Sequence, residues 1–396
     1  MRVTVLGFTV PDELLEQINA EDRLMQTQTH RFAWSLVGAF RSNGVAVDLL
    51  STAPVSDFPG NRRLLWRGRR FDVDGVRGRL MPFVNAVVLK HLTRYLACWV
   101  VGARELRRTR PDWIVVHGVH SPFLYYAVHV RRRVGARVAV VLTDPPGVIR
   151  AEDGRLRQVL KRVDISLVTR ALRRSDAVVV LAAPLGDDFA RGVPALVVEG
   201  LVAPELSSLP ATPPARPRIV YAGGLHEEYG VRRLVEAVRS LPADVELALF
   251  GRGPLEPWLV EQAAEDPRIC TPRLVSPADL PAIYAGASLL VQPRQLDQYF
   301  VRYSFPSKLI EYLASGRPVV STRLPSIPED YAPYLVQPDG DDPADLAAAI
   351  GGVLAWSTEE REAFGRRGAE FIRTTRSPQA QGRRIVEFLD GIATGG

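Results

Sequence analysis

Short apolar runs alternate with longer stretches of helical period along most of the chain. Arg2–Leu6 and Val45–Leu50 flank Thr27–Arg41, whose Phe32, Leu36, Val37 and Phe40 share one helical face and which ends at Asn43-Gly44. That pattern predicts strand, helix, strand. A helix follows over roughly 83–109, stopped by Pro111, then strand Trp113–His117, a loop Gly118-Val119-His120-Ser121-Pro122 opening another helix, and strand Arg137–Leu142. Helix 155–173, strand Asp176–Leu181 and strand Ala195–Val198 complete the first half. Residues 51–80, rich in Gly and Arg with little period, predict an irregular excursion with one hairpin.

The segment PELSSLPATPPARPR carries five prolines and no apolar period, which marks a connector. A second series follows: strand Arg218–Tyr221, helix Val231–Ser240, strand Val245–Phe250, helix Leu255–Ala264, strand Arg268–Thr271, helix Pro277–Ala285 and the buried run Ala287–Val291. Such alternation implies an α/β fold with one parallel sheet per half and right-handed crossovers. The expected division is a Rossmann-like domain over 1–200, a linker over 201–217, a second Rossmann-like domain over 218–377 and a closing helix over 378–396. That last helix is amphipathic through Ile385, Phe388 and Leu389.

The candidate chemistry centres on Arg294 to Arg323, where a strand exit runs into a short helix and back to a strand. Ser304 suits a helix cap and Pro306 a first turn, while Gly316 and Pro318 end the helix. Lys308 and Glu311, three apart, share one face near the helix start. A cation with free N–H groups suits phosphate oxygens, and a carboxylate suits two ribose hydroxyls. The same residues also read as an ordinary solvated ion pair. Gly223-Gly224-Leu225 and Gly251-Arg252-Gly253-Pro254 are strand exits of the same kind; glycine there admits a ligand to the backbone or merely makes a tight turn.

The runs YSFPSKLIEYLASGRPVV, LPSIPEDY and YAGGLHEEYG resemble the GT-B glycosyltransferases of the large retaining family 4, in the branch of exopolysaccharide and capsule synthesis. The resemblance implies two Rossmann-like domains facing across a cleft, with the last helix crossing back to the first domain. It places a nucleotide-diphosphate sugar against Gly223, Gly224, Leu225, Arg252, Arg294, Arg302 and the run Tyr303-Ser304-Phe305-Pro306-Ser307-Lys308, with Glu311 beyond it. Two departures stand out. The cations many relatives carry after the first glycine and in a Lys–Gly pair are replaced by Gly224 and Tyr229-Gly230, and the first of two glutamates eight apart is Tyr303. Phosphate charge must then be met by Lys308 first, and by Arg302, Arg294 or Arg252. Lys308 and Glu311 are the catalytic candidates, with Asp144 after strand Arg137–Leu142 as a third; an Asx turn before Pro145 is an equal explanation of Asp144. His117 and His120 are acceptor-side candidates, although a histidine at a strand end is more often packed than reactive. The family also implies retention of anomeric configuration and no metal.

Composition narrows the setting. The 396 residues are 46% hydrophobic and 24% charged, as in a globular protein, and the two cysteines, Cys98 and Cys270, lack metal or disulfide spacing. A reducing, cytoplasmic compartment is expected. Phe83 to Ala103 is the longest apolar stretch, but Lys90, His91 and Arg94 interrupt it. Residues 1–200 hold 30 Lys+Arg against 19 Asp+Glu, a balance of +11, while the remainder holds 20 against 25, or −5, which sums to +6. A basic first half suits an anionic membrane surface and a glycan or polyprenyl-linked acceptor. Nucleic acid is not expected, because no aromatic residues interleave the arginines. The expected activity is glycosyl transfer in surface polysaccharide synthesis; a nucleotide-sugar 2-epimerase and a non-catalytic sugar-nucleotide binder are the alternatives.

Overall fold

The computed structural model describes residues 1–22, 27–87, 89–147, 154–201 and 216–395. The chain splits into two compact units, Met1–Val202 with Pro378–Gly396, and Ala203–Ser377. Most of the expected linker, 202–215, lies outside the described residues.

The first unit contains β1 (Arg2–Gly7), β2 (Ala46–Ser51), β3 (Leu65–Trp66), β4 (Arg69–Val73), β5 (Val76–Leu80), β6 (Phe83–Val84), β7 (Trp113–His117), β8 (Arg137–Leu142), β9 (Ala177–Val180) and β10 (Ala195–Val197). Eight of them form one sheet in the order β10-β9-β8-β7-β1-β2-β5-β4. Every pairing is parallel except β4 with β5. All residues of β7 and β9 are buried, as both faces of a covered parallel sheet require. The hairpin expected within 51–80 is β4–β5, turned by Asp74 and Gly75 with φ of 50° and 80°. Two consecutive residues at positive φ make the turn whose twist matches an antiparallel pair.

The helix expected from 83 begins instead at Leu89. Phe83–Val84 pairs with Leu65–Trp66 as a two-stranded ribbon, where the rings of Trp66 and Phe83 stack 6.0 Å apart. From Leu89 the helix runs through a π segment, Cys98–Gly102, to Thr109 and stops at left-handed Arg110 before Pro111.

The closing helix, Pro378–Thr394, packs on helix Thr27–Ser42 within the first unit. Ile385 and Leu389 enter the core beside Phe40, and Gln381 Nε2 donates to Glu199 Oε2 over 2.7 Å. The helices meet at Gly382, where a Cβ would stand 2.6 Å from the Ala39 carbonyl oxygen.

The second unit is a four-stranded parallel sheet of β11 (Arg218–Ala222), β12 (Glu246–Phe250), β13 (Leu289–Gln292) and β14 (Val319–Ser321), ordered β12-β11-β13-β14. Along β11, Ile219 and Tyr221 face one apolar cluster while Val220 and Ala222 face the other, the two-residue period of a strand buried on both sides. Helices Val231–Arg239 and Pro343–Ala355 cover the first face, and helices Lys308–Ala314 and Thr358–Phe371 cover the second. The strand expected at Arg268–Thr271 is reduced to isolated bridges, Leu247 with Ile269 and Phe250 with Arg273. Pro267 and Pro272 bracket it and remove ladder donors on either side.

Gly382→Leu forces a side chain into the Ala39 carbonyl. We expect the first unit to lose about 1–3 kcal/mol, or more if the backbone cannot yield, read as a lower urea midpoint at unchanged slope.

Candidate functional site at the carboxyl ends of the second sheet

Three strand exits converge at the carboxyl edge of the second sheet, and backbone contact sets their spacing. Gly223 N donates to Phe250 O and Leu225 N to Arg252 O, each over 2.9 Å. At Gly251, with φ of 147°, a Cβ would stand 1.8 Å from Gly223 O; at Gly253 it would stand 2.3 Å from Leu225 O. Gly230, at φ 76°, is pressed against the Pro293 carbonyl, with 1.7 Å to an added Cβ. These glycines are needed first for loop-to-loop packing. The space above Gly224 is taken by the rings of Tyr229 and His226, 2.8 and 2.9 Å from an added Cβ, so the protein itself occupies the approach expected for a ligand there.

The helix of this site starts at Lys308, directly after Ser307. Ser304 is not its cap, a correction to the expectation. Phe305, Pro306 and Ser307 intervene, Phe305 and Pro306 are buried, and the Ser304 carbonyl accepts from Arg294 Nη1 and Ser326 Oγ, both at 3.1 Å. One side chain ties the helix to the sheet. The fully buried Tyr312 hydroxyl accepts from Ala222 N over 2.7 Å and donates to Ala222 O over 2.9 Å. Lys308 and Glu311 then stand half-buried at the helix start, with Nζ 2.7 Å from Oε2, and Glu311 also accepts from the Tyr284 hydroxyl at 3.2 Å.

Arg294 is turned toward protein. Its guanidinium lies 5.0 Å from the Tyr229 ring centre and 5.8 Å from that of Phe300, and burial pulls its pKa below the ordinary value. A cation thus sits against Tyr229, the position where the sequence resemblance implies a lysine. Arg252 and Arg302 are exposed, and Arg302 lies 5.9 Å from the ring of buried Tyr303.

On the first unit, His117 ends β7 almost fully buried, stacked on Phe32 at 5.5 Å. Burial lowers its pKa to about 4 and keeps it neutral. His120 packs among His91, Phe8 and Phe123, and burial pushes its pKa well below the imidazole range. Asp144 is exposed and accepts from the hydroxyl of its neighbour Thr143 at 2.8 Å.

Two side chains escaped the sequence reading. Lys90 and Arg94 look there like interruptions of an apolar stretch, yet both are buried, at 4% and 3% exposure. Lys90 Nζ donates to Val55 O and pairs with Asp57 at 2.7 Å. Arg94 donates to Ala53 O at 2.8 Å and lies over Phe83 and Phe8 at 4.3 and 5.1 Å. Burial lowers it to about 9, which leaves it charged at neutral pH. The signal was present as phase: Lys90, Arg94 and Ala97 share a helical face opposite Leu89, Leu92 and Leu96. Among the described residues no group of three His, Cys, Asp or Glu is placed to hold a metal ion, and no helix is long and apolar enough to cross a membrane.

Comparison with known proteins adds to this geometry. Residues 216–355 match the family described as Glycosyl transferases group 1. This segment is similar to a group 1 glycosyl transferase domain. A Bacillus subtilis (strain 168) protein, named for teichuronic acid biosynthesis as the glycosyltransferase TuaH, is 46% identical over 57 residues, 14% of either chain. The fold is shared more widely. Sucrose-phosphate synthase from Thermosynechococcus elongatus matches over 100% of both chains with a TM-score of 0.64 and 14% identity. The lipopolysaccharide outer core galactosyltransferase WaaB matches over 99% of both at 0.65 and 14% identity. HepE from Anabaena, solved in complex with UDP, matches over 99% of this chain and 100% of its own at 0.62 and 13% identity. The chain therefore has the GT-B fold, and the matched segment includes β11 to β14, Arg294, Lys308 and Glu311.

His117 makes the first unit sensitive to acid. Its pKa falls from 6.5 to about 4 on folding, so between those values the unfolded chain holds a proton that the folded one does not. Stability is then lost as pH falls from 6.5 through 4, by about 3 kcal/mol when complete. His117→Phe, which keeps the stack on Phe32, is expected to lose less stability than the wild type between pH 7 and pH 4, measured by urea midpoints across that range.

Proposed function

We propose that this GT-B protein transfers a sugar, with retention of configuration and without a divalent ion, from a nucleotide-diphosphate sugar to a glycan or polyprenyl-linked acceptor in surface polysaccharide synthesis. The observation that carries the reading is the placement of Lys308 and Glu311, within the matched segment, at the carboxyl edge of a parallel sheet, where ligands of open α/β folds bind. Lys308 would meet diphosphate oxygens and Glu311 the ribose hydroxyls. Each is about one-third exposed, so their own ion pair is worth under about 1 kcal/mol and yields readily to a ligand. Arg294, held over Tyr229, would supply the second cation that Tyr229 lacks. Charge placed where the departing diphosphate gathers it stabilises the transition state more than the ground state.

The acceptor setting rests on the first unit. Leu89, Leu92, Leu96 and Val100 repeat at helical spacing and are 48%, 51%, 51% and 56% exposed. Exposed leucines on a unit rich in arginine suit the face of an anionic membrane on the cytoplasmic side, where each nearby cation contributes about 1 kcal/mol. The names of TuaH and WaaB, from teichuronic acid and lipopolysaccharide synthesis, agree with that setting, and the UDP held by HepE agrees with a nucleotide-sugar donor.

Thermal-shift binding of UDP-, GDP- and TDP-sugars tests the donor site. A ligand at 100 times its Kd adds about 2.7 kcal/mol, a visible rise in melting temperature. We expect one nucleotide class to shift the wild type, in EDTA as well as without it, and Lys308→Ala or Glu311→Ala to remove the shift. A panel without any shift, or variants that keep it in full, would sink the assignment.

A further inference from the structure

One oxygen of Glu311 is held from inside the protein, and the other is open. Tyr284, on helix Leu280–Ala285, is only 2% exposed, and its hydroxyl donates to Glu311 Oε2 over 3.2 Å. Lys308 Nζ reaches the same oxygen at 2.7 Å. The second oxygen, Oε1, accepts no hydrogen bond among the described residues and is not closed to solvent. A carboxylate can accept about four hydrogen bonds in all, so Oε2 is the anchored oxygen and Oε1 the available one.

The two donors on Oε2 differ in how firmly they are held. Lys308 is 34% exposed on a flexible four-carbon stem, and it is the group that would turn to the diphosphate when a sugar nucleotide binds. Tyr284 has no such freedom. Its ring meets that of Tyr312 edge-on at 5.2 Å, and the Tyr312 hydroxyl is fixed to both polar atoms of Ala222 at the end of β11. Burial pushes the pKa of Tyr284 above the ordinary phenol value, so its hydroxyl remains a proton donor at neutral pH. Once Lys308 turns away, the bond from Tyr284 is the one left on the carboxylate. It makes a flexible side chain a fixed acceptor, and two neighbouring hydroxyls can share one carboxylate only while its lone pairs are held in place.

We propose that Tyr284 is a positioning residue whose hydroxyl fixes the Glu311 carboxylate to take both the 2′- and 3′-hydroxyls of one ribose, which makes the site selective for ribonucleoside over deoxyribonucleoside diphosphates. Resting on the donor reading of Lys308 and Glu311, it adds the class of nucleotide. UDP- and GDP-sugars carry both hydroxyls, whereas TDP-sugars lack the 2′-hydroxyl. A site whose polar groups are set for a hydroxyl discriminates against the analogue without it.

The test is calorimetric titration of the whole chain with UDP, GDP and the 2′-deoxy form of each. We expect whichever base the wild type accepts to bind at least about tenfold more tightly as the ribonucleotide, the size of one hydrogen bond to a charged group. Tyr284→Phe keeps the ring and removes only the hydroxyl. It is expected to bring the ratio to within about threefold of unity, by weakening the ribonucleotide and leaving the deoxy form nearly unchanged. Glu311→Ala is expected to do the same, and Tyr284→Phe added to it to change nothing further. Lys308→Ala is expected to weaken both forms alike, because its part is with the phosphates. A tyrosine that merely packs would behave otherwise: both forms would weaken together in Tyr284→Phe, and the loss would persist without Glu311. That pattern, a ratio kept in Tyr284→Phe, a ratio that collapses in Lys308→Ala instead, or equal binding of the two forms by the wild type overturns the proposal while the phosphate contact of Lys308 stands. A wild type that binds neither UDP nor GDP overturns the donor reading itself, and the role of Tyr284 with it.

Discussion

Three carbonyl oxygens, those of Gly223, Leu225 and Pro293, stand where Gly251, Gly253 and Gly230 would carry a Cβ. The geometry of the second unit's carboxyl edge depends on that contact. It lets the exits of β11 and β12 exchange backbone hydrogen bonds instead of leaving buried N–H groups bare, with that of β13 closed against them. Helix Lys308–Ala314 is fixed to the same edge by the Tyr312 hydroxyl on both polar atoms of Ala222. Arg294, Lys308 and Glu311 are thereby carried on packed elements rather than on free loops, the condition for a site whose side chains hold their positions before a ligand arrives.

The protein handles its cations in two physically different ways. Lys308 is half in water, paired with an equally exposed carboxylate, and its charge is easily redirected. Arg294 and Arg94 are withdrawn from water and laid on aromatic faces, Tyr229 and Phe300 for the one, Phe8 and Phe83 for the other. A guanidinium tolerates this because it is planar, weakly hydrated and attracted to ring faces, whereas an ammonium would keep its water. Lys90 shows the contrast: its buried ammonium takes two oxygen partners within 2.7 Å. That distinction also makes sense of Tyr229 where the sequence resemblance implies a lysine. The ring becomes the support for an arginine reaching over from the next strand exit.

Much of the architecture was legible because it follows from local patterns. Largely apolar runs such as Trp113–His117 and Leu289–Gln292, buried at every position, suit a covered parallel sheet, and the Asp74-Gly75 pair makes a tight hairpin. The failures are instances where a neighbour overrides the pattern. Pro272 denies β status to a segment of good strand composition, and the ribbon made with Leu65–Trp66 takes Phe83–Val84 out of the helix. Ser304 has the chemistry of a cap, but its carbonyl is already claimed by Arg294, which no spacing rule reveals. The glycines of the strand exits were readable as close approaches; whether to a ligand or to another loop depends on register between strands far apart in sequence.

Helix Leu89–Ala97 is where sequence reasoning failed most instructively, because it is inside out. Apolar residues normally face the core and cations face water, since burying a charge costs more than exposing a leucine. Here Leu92 and Leu96 are half exposed while Lys90 and Arg94 are buried. Lys90 is met within the fold by Val55 O and Asp57, and Arg94 by Ala53 O and the faces of Phe8 and Phe83, so neither cation is left to an apolar interior alone. The leucines left outside forgo up to about 1.5–3 kcal/mol each of burial, which the hydrogen bonds and ring contacts of the buried cations must help to offset. The helix is thus placed by the partners its cations find at Ala53, Val55 and Asp57 rather than by its own apolar stripe, and no spacing rule within the helix reveals those partners.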